Sequence, residues 1–307
     1  MEKFFHLKEN GTTVSTEILA GLTTFFAMAY IIVVNPQILS QTGMPWGGVF
    51  LATIIAAIIG TLVMGLFANV PYAQAAGMGL NAFLAYTVVL GMGYTWQVAL
   101  LAVFIEGLIF IVLSLTNIRE AIFNAIPLTL KKGVSVGIGL FIAFIGLQNS
   151  GLCVDSATLV GIISFPENFH TAGICALLTL IGLFFTAVFY TRKMKGAILY
   201  GILLTWILGM LCQVTGLYVP TPDAGFYSLF PSWGMTDFSK LGLTFGQCFN
   251  VDFSAVGIVN FIVVIFSFLF VDIFDTLGTL IGVATKAKML DKDGKLPGIK
   301  PALLADS

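Results

Sequence analysis

The sequence predicts an all-α, polytopic membrane protein, and three observations support that fold class. The chain is 58% hydrophobic and only 9% charged, whereas a soluble domain carries about 25% charged residues. Its apolar residues fall into about eight long runs, which are separated by short polar segments or by proline and glycine. The basic residues gather in alternate segments between those runs, as expected for loops on the cytoplasmic side of a bilayer.

Crossing the hydrocarbon core takes about twenty helical residues, and most of the apolar runs have that length. The first run is expected to stop at Asn35-Pro36, because proline cannot continue the hydrogen-bond ladder of a helix. The third and fifth runs are short, and glycines interrupt the third, so we predict a broken or re-entrant segment there. The predicted spans cover residues 17–34, 49–67, 76–90, 96–115, 133–147, 171–190, 196–217 and 256–282.

Basic residues give the predicted orientation. If the N-terminus is cytoplasmic, every lysine and arginine except Lys240 lies in a cytoplasmic segment, which is the arrangement that the positive-inside rule favours. The opposite orientation would place nearly all of them outside. Eight crossings then leave both ends of the chain in the cytoplasm, and the alternation holds only if the short third segment also crosses.

The last run carries two carboxylates in the middle of an apolar span. An aspartate near the centre of a spanning helix costs about 2.5–3.5 kcal/mol on insertion scales, so it is expected to face a cavity, a ligand or a partner. Asp272 and Asp275 are three residues apart and share a helical face with Thr276 and Thr279. Carboxylates this close can share and exchange a proton. We predict a polar binding face here; a buried pair satisfied by another helix is the alternative.

The third run contains Gly77, Gly79 and Asn81 among apolar residues. Two glycines at this spacing weaken a helix, and extended backbone at membrane depth occurs only beside a cavity or inside protein. We predict that both glycines lie on extended backbone close to a ligand, with the Asn81 amide offering a donor and an acceptor. Close helix packing through small residues is the alternative.

Other function classes find little support in the sequence. The net charge of −1 gives no sign of nucleic-acid binding. No phosphate-binding glycine loop, nucleophile elbow or metal-ligand cluster is present, so we expect neither an enzyme nor a metal or other cofactor. The four cysteines have no paired spacing, and their positions leave open whether Cys153 and Cys248 form a disulfide.

Three segments resemble a known family: residues Glu17 to Pro36, the run Ala76-Gly-Met-Gly-Leu-Asn-Ala-Phe83, and the run Val271-Asp-Ile-Phe-Asp-Thr-Leu-Gly-Thr279. Together they resemble the azaguanine-type purine permeases of the nucleobase–cation symporter superfamily, and the resemblance covers essentially the whole chain. It implies a secondary active transporter that takes up hypoxanthine, guanine or adenine together with protons. It also implies a multi-pass protein of the cytoplasmic (plasma) membrane.

The resemblance further implies fourteen segments in two inverted repeats of seven, with short strands in segments 3 and 10. Segments 1–4 and 8–11 form a core domain in that fold, and the others form a gate domain. Residues 1–116 and 256–307 are thereby assigned to the core, and residues 117–255 to the gate. With about eight segments found, the chain is expected to stop before segment 9. The fold also suggests a homodimer in the lipid bilayer.

The family's binding positions carry over to Asn81 and Asp272. With neighbours on the same two segments, the predicted purine site comprises Asp272, Asn81, Gly79, Phe83 and Thr276. Proton coupling is assigned to Asp272 and Asp275. An anion exchanger of the same fold is the alternative within transport, and two carboxylates at the site argue against it. A polytopic membrane enzyme is the alternative from a different function class.

Overall fold

The computed structural model describes residues 5, 7–9, 11–116, 118–157, 159–194, 196–232, 234, 237–251, 256–287, 289 and 299–306. Most of these residues are helical. The α-helices are, in chain order, α1 (Val14–Met28), α2 (Ile31–Ser40), α3 (Trp46–Leu66), α4 (Met78–Ala82), α5 (Trp96–Leu115), α6 (Ile118–Ala125), α7 (Leu128–Asn149), α8 (Ile174–Thr191), α9 (Ala197–Val214), α10 (Ile258–Lys286) and α11 (Ile299–Asp306). Wider, π-helical turns over Phe83–Gly91 and Phe169–Gly173 follow α4 and precede α8.

Six helical stretches of the described chain are long and apolar enough to cross a membrane. Shorter apolar helices over Met78–Gly91 and Gly133–Asn149 lie where the third and fifth spans were predicted. On the six long helical stretches, large apolar side chains such as Ile18, Leu183 and Phe270 are exposed. This distribution suits contact with lipid rather than water. The predicted fold class, an all-α polytopic membrane protein, is confirmed.

The prediction that the first run stops at Asn35-Pro36 is wrong. The helix breaks earlier, at Ala29 and Tyr30, and α2 then continues to Ser40 with Pro36 inside it. A proline within a helix loses one backbone hydrogen bond. The ring of Pro36 is fully buried, and the burial of that apolar surface offsets part of the loss.

The chain divides into two compact units, and residues 15–27 and 140–235 form unit 2. Within unit 2, α8 and α9 approach closely because Gly182 faces Thr205 and Gly201 faces Thr186; a Cβ atom on either glycine would overlap the threonine. Each threonine hydroxyl donates to the carbonyl of the glycine on its own helix, at 2.7 Å in both cases. This reciprocal pairing of small residues is typical of helices packed in a membrane.

Unit 2 also holds the one β-sheet of the described residues, an antiparallel hairpin of β1 (Cys153–Ser156) and β2 (Leu159–Ile162). The strand implied for segment 3 has no ladder partner among the described residues, because residues 70–77 are extended but pair with no other strand. All four cysteines of the chain, Cys153 and Cys248 included, are free thiols.

Unit 1 comprises residues 1–14, 28–139 and 236–307. One of its core clusters joins α5 and α10 through buried side chains that include Ala99 and Phe268. A second cluster joins α3, α10 and α11 through Met64, Ile281 and Leu303, each at most 2% exposed. This packing brings α3, α4, α10 and α11 together around the extended residues 70–77.

Candidate functional site

The candidate site forms around the extended stretch of residues 70–77, which lies between the turn that follows α3 and the start of α4 in unit 1. Asn69 takes a left-handed conformation with φ of 52° and turns the chain, and Pro71 has no N–H with which to continue a helix. Gly77, with φ of −71° and ψ of 116°, ends the stretch and precedes α4. Extended backbone therefore lies directly before the apolar helix of the third segment.

Gln74 anchors the middle of this stretch to α3. Its backbone N–H donates to the Thr61 hydroxyl at 3.0 Å, and the same hydroxyl donates to the Gln74 carbonyl at 3.3 Å. Gly60 allows the approach, since a Cβ atom there would lie 3.0 Å from the Gln74 Cβ. One threonine thus satisfies both backbone groups of a residue that has no helix or sheet partner, as apolar surroundings require.

Asp275 lies against the end of the extended stretch. A Cβ atom built on Gly77 would stand 2.9 Å from the Asp275 Oδ2, so the carboxylate occupies the space that a side chain at position 77 would need. Gly79 is different, because it lies inside α4 and nothing is within 4 Å of its Cβ position. The prediction that Gly79 lies on extended backbone is wrong: the extended conformation ends at Gly77, and α4 begins at the next residue, Met78.

Asp306, which was not among the predicted site residues, joins the extended stretch to the aspartate-bearing helix. Its Oδ1 accepts a hydrogen bond from the Gln74 Nε2 at 3.3 Å, and its Oδ2 accepts one from the Thr276 hydroxyl at 2.7 Å. Asp306 also interacts electrostatically with Asp275. The signal was visible in the sequence as one acidic residue in the apolar run 301–307.

The predicted polar face of α10 is partly buried and partly exposed. Asp272 and Asp275 are both half-buried, and Thr276 is 5% exposed with its hydroxyl bonded to Asp306. Thr279 is exposed, and its hydroxyl donates to the carbonyls of Asp275 and Thr276 on its own helix. The buried part of the face therefore ends before Thr279.

Asn81 belongs to a chain of polar side chains that links three helices. Its Nδ2 donates to the Asn35 Oδ1 at 2.6 Å, and the Asn35 Nδ2 donates to the Thr53 hydroxyl at 2.8 Å. That hydroxyl donates to the Val49 carbonyl at 2.7 Å. Asn81 is on α4, Asn35 on α2 and Thr53 on α3, so the amide is held by a network that the sequence pattern did not reveal.

Phe83 packs its ring on the core of unit 1. It makes an edge-to-face contact with Phe268 of α10, with ring centroids 5.0 Å apart. Such a contact contributes about 0.5–1.5 kcal/mol beyond the burial of area. The contact therefore holds Phe83, the first residue of the π-helical turns after α4, against α10 and close in sequence to Asn81.

We expect the Asp306→Ala substitution to lower the free energy of unfolding by about 1.5–3 kcal/mol, because a charged acceptor with a buried donor is removed. The measurement is thermal unfolding in detergent, repeated for Thr276→Val and for the double variant. A non-additive double variant is expected because both changes remove the same hydrogen bond. Additive losses would contradict a direct bond between Asp306 and Thr276.

Comparison with known proteins relates this architecture to transporters. A model described as Permease family (Xan_ur_permease) matches residues 15–307. A putative permease of Methanocaldococcus jannaschii is 48% identical over 100% of this chain and 66% of its own length. The guanine/hypoxanthine permease PbuO of Bacillus subtilis is 46% identical over 99% of this chain and 66% of its own length. The adenine permease AdeP of Escherichia coli is 40% identical over 100% of this chain and 64% of its own length. The chain thus spans about two thirds of the length of these relatives.

Proposed function

The chain belongs to the Permease family, and from this premise we propose that the protein takes up purine nucleobases across the plasma membrane together with protons. Relatives that align with essentially the whole of this chain are named guanine/hypoxanthine and adenine permeases. We assign the same substrate class, hypoxanthine, guanine or adenine, to this protein. The family is one of permeases, not of enzymes.

The observation that carries the proposal is the polar cluster of unit 1, whose carboxylates are half-buried. It places the extended residues 70–77 beside carboxylates of α10 and α11, and the Asn81 amide lies in α4, the helix that follows these residues. A purine is flat and carries both N–H donors and ring-nitrogen acceptors along its edges. A carboxylate and an amide can together satisfy such an edge in apolar surroundings, where unsatisfied polar groups are costly.

Within this cluster we assign a role to each predicted residue. Asp272 accepts from the purine, Asn81 contacts a second edge position, and Phe83 borders the ring plane. Gly79 lines the site through the open space beside its Cα atom. Thr276 acts through Asp306, since its hydroxyl is bonded to that carboxylate.

We assign proton coupling to Asp272 and Asp275. Asp275 supports the assignment because it faces Gly77 on the extended stretch and interacts with a second carboxylate, that of Asp306. A proton bound there changes the charge next to the proposed purine site.

The arrangement of the whole protein follows from the same premise. We propose that residues 1–116 and 256–307 belong to a core domain that binds the purine, and residues 117–255 to a gate domain. The N-terminus is proposed to be cytoplasmic because that orientation leaves only Lys240 among the 14 basic residues outside. A homodimer in the lipid bilayer is proposed as the assembly.

Anion exchange is the second candidate within transport. An anion requires cationic side chains or unoccupied backbone donors. The described cluster instead presents Asp272, Asp275 and Asp306. These carboxylates would repel an anion, so purine uptake is the better account of the site.

The proposal is tested by uptake of labelled hypoxanthine, guanine, adenine and uracil into cells that express the protein from its complete coding sequence. We expect saturable uptake of at least one purine, little uptake of uracil, and loss of accumulation when an uncoupler removes the proton gradient. Accumulation that survives the uncoupler would contradict proton coupling. Absence of purine uptake by protein present in the membrane would contradict the proposed function.

A further inference from the structure

We propose that Asn35 and Thr53 are positioning residues that turn the carbonyl oxygen of Asn81, rather than its NH₂ group alone, toward the substrate. The substrate would then be recognised at this point through one of its N–H donors. This inference rests on the proposed function, because it specifies how the same site reads a purine edge. Asn35 and Thr53 are not among the predicted binding residues. The inference states that Asn81 accepts a hydrogen bond from the substrate.

The direction of the network begins at Thr53. A threonine hydroxyl has a single proton to donate, and Thr53 donates it to the Val49 carbonyl on its own helix at 2.7 Å. Toward Asn35 the hydroxyl can therefore only accept. The atom of Asn35 that lies 2.8 Å away must be the NH₂ nitrogen.

The orientation of Asn35 then determines that of Asn81. With its NH₂ group on Thr53, Asn35 presents its Oδ1 to Asn81, and an oxygen at this position accepts only a donor. The Asn81 Nδ2 supplies that donor at 2.6 Å. The carbonyl oxygen of Asn81 is on the opposite branch of the amide, so it is directed away from Asn35.

Burial makes this direction costly to reverse. Asn35 and Thr53 are each 5% exposed, so bulk water cannot replace a lost partner. Reversing Asn81 alone would bring its carbonyl oxygen against the Asn35 Oδ1. Reversing both amides would require the Thr53 hydroxyl to donate to Asn35 and so to give up its hydrogen bond to the Val49 carbonyl. A buried polar group that loses its partner carries its full desolvation penalty, and linked hydrogen bonds also reinforce one another.

Each side chain of the network comes from a different helix. Asn35 is on α2, Thr53 on α3 and Asn81 on α4, directly after the extended stretch. The helices that flank the site thus fix the Asn81 amide before any substrate arrives. Pre-organised groups of this kind recognise a ligand strongly because little ordering remains to be done on binding.

The test uses competition against labelled hypoxanthine uptake by the protein expressed from its complete coding sequence. One set of competitors replaces each N–H of hypoxanthine by N–CH₃, and a second set replaces ring-nitrogen acceptors by C–H. The proteins compared are the wild type, Asn81→Leu, which keeps a similar side-chain volume, Thr53→Val, which removes the acceptor for Asn35, and Thr53→Ser, which keeps it. Surface abundance of each variant is measured in parallel.

We expect at least one N-methyl competitor to lose tenfold or more in affinity for the wild type but less than threefold for Asn81→Leu. Replacement of a ring nitrogen by C–H should change the affinity of the competitor by the same factor for the wild type and for Asn81→Leu. Thr53→Val should reduce the discrimination against that N-methyl competitor by threefold or more, and Thr53→Ser should retain it.

Two results would overturn the inference while leaving the proposed function standing. One is a ring-nitrogen replacement whose effect depends on Asn81, which would mean that Asn81 donates to the substrate. The other is full wild-type discrimination in Thr53→Val at normal surface abundance. If the wild type at the membrane takes up no purine, the proposed function fails and this inference fails with it.

Discussion

The Asp272→Asn substitution is expected to abolish purine uptake, or to raise the apparent dissociation constant for the purine at least about tenfold, which corresponds to about 1.4 kcal/mol. Asparagine keeps the shape of the side chain but removes its charge, and a hydrogen bond to a charged acceptor is about twice as strong as a neutral one. Asp272 lies half-buried in α10, one turn before Thr276. The measurement is competition or direct binding of labelled purine, normalised to protein in the membrane.

Thr279→Ala is the matched control for Asp272→Asn. Thr279 lies on the same helix, is exposed, and bonds only to carbonyls of its own helix. We expect wild-type affinity from this variant, which separates loss of the site from general damage to α10. Unchanged affinity of Asp272→Asn at normal abundance would show that Asp272 does not contact the purine.

Asp275→Asn separates the two roles proposed for the aspartates. Asp275 faces Gly77 and Asp306, and we assign it to proton coupling alone. The variant should therefore bind purine with nearly wild-type affinity but fail to accumulate it against a gradient. Equal loss of binding in Asp272→Asn and Asp275→Asn would mean that the two carboxylates act as one binding unit.

The helices of this protein could be predicted from the sequence because bilayer thickness sets their length. The fourth span was predicted over residues 96–115, and α5 covers Trp96–Leu115. The first span was less predictable, since Asn35-Pro36 reads as a stop and the actual break lies at Ala29 and Tyr30. Pro36 is tolerated because its tertiary surroundings bury it, and local pattern carries no information on that burial.

The residues that support the site were harder to predict than the residues that form it. Asp272 and Asn81 are conspicuous because a charge and an amide are rare in apolar runs. Asp306 lies in a comparable run, but its partner Gln74 is 232 positions away, and no periodicity connects them. The same holds for Asn35, whose role depends on contacts with Thr53 and Asn81 across three helices.

The sequence pattern also did not distinguish Gly77, which is extended, from Gly79, which lies in a helix. Gly77→Ala is expected to reduce uptake by about tenfold or more, because the new Cβ atom would lie 2.9 Å from the Asp275 Oδ2. The half-buried carboxylate would have to turn away from Gly77, and Asp275 is a group to which we assign proton coupling. The measurement is uptake of labelled purine per molecule of protein in the membrane.

Gly79→Ala is the control that the chain itself provides, two residues further on. Nothing lies within 4 Å of the Cβ position at Gly79, and alanine favours a helix over glycine by about 0.5–1 kcal/mol. This variant should fold at least as well as the wild type and should keep its uptake. Equal losses from Gly77→Ala and Gly79→Ala would contradict the specific contact between Gly77 and Asp275.

A larger side chain at position 79 tests what occupies the open space beside α4. Gly79→Leu should insert normally and yet fail to take up purine, because leucine would fill the space that we assign to the substrate. Paired with full uptake by Gly79→Ala, that failure would be a steric effect on the site and not a defect in the helix. Wild-type uptake by Gly79→Leu would place the substrate elsewhere and leave Gly77, through Asp275, as the only one of the two glycines with a role in transport.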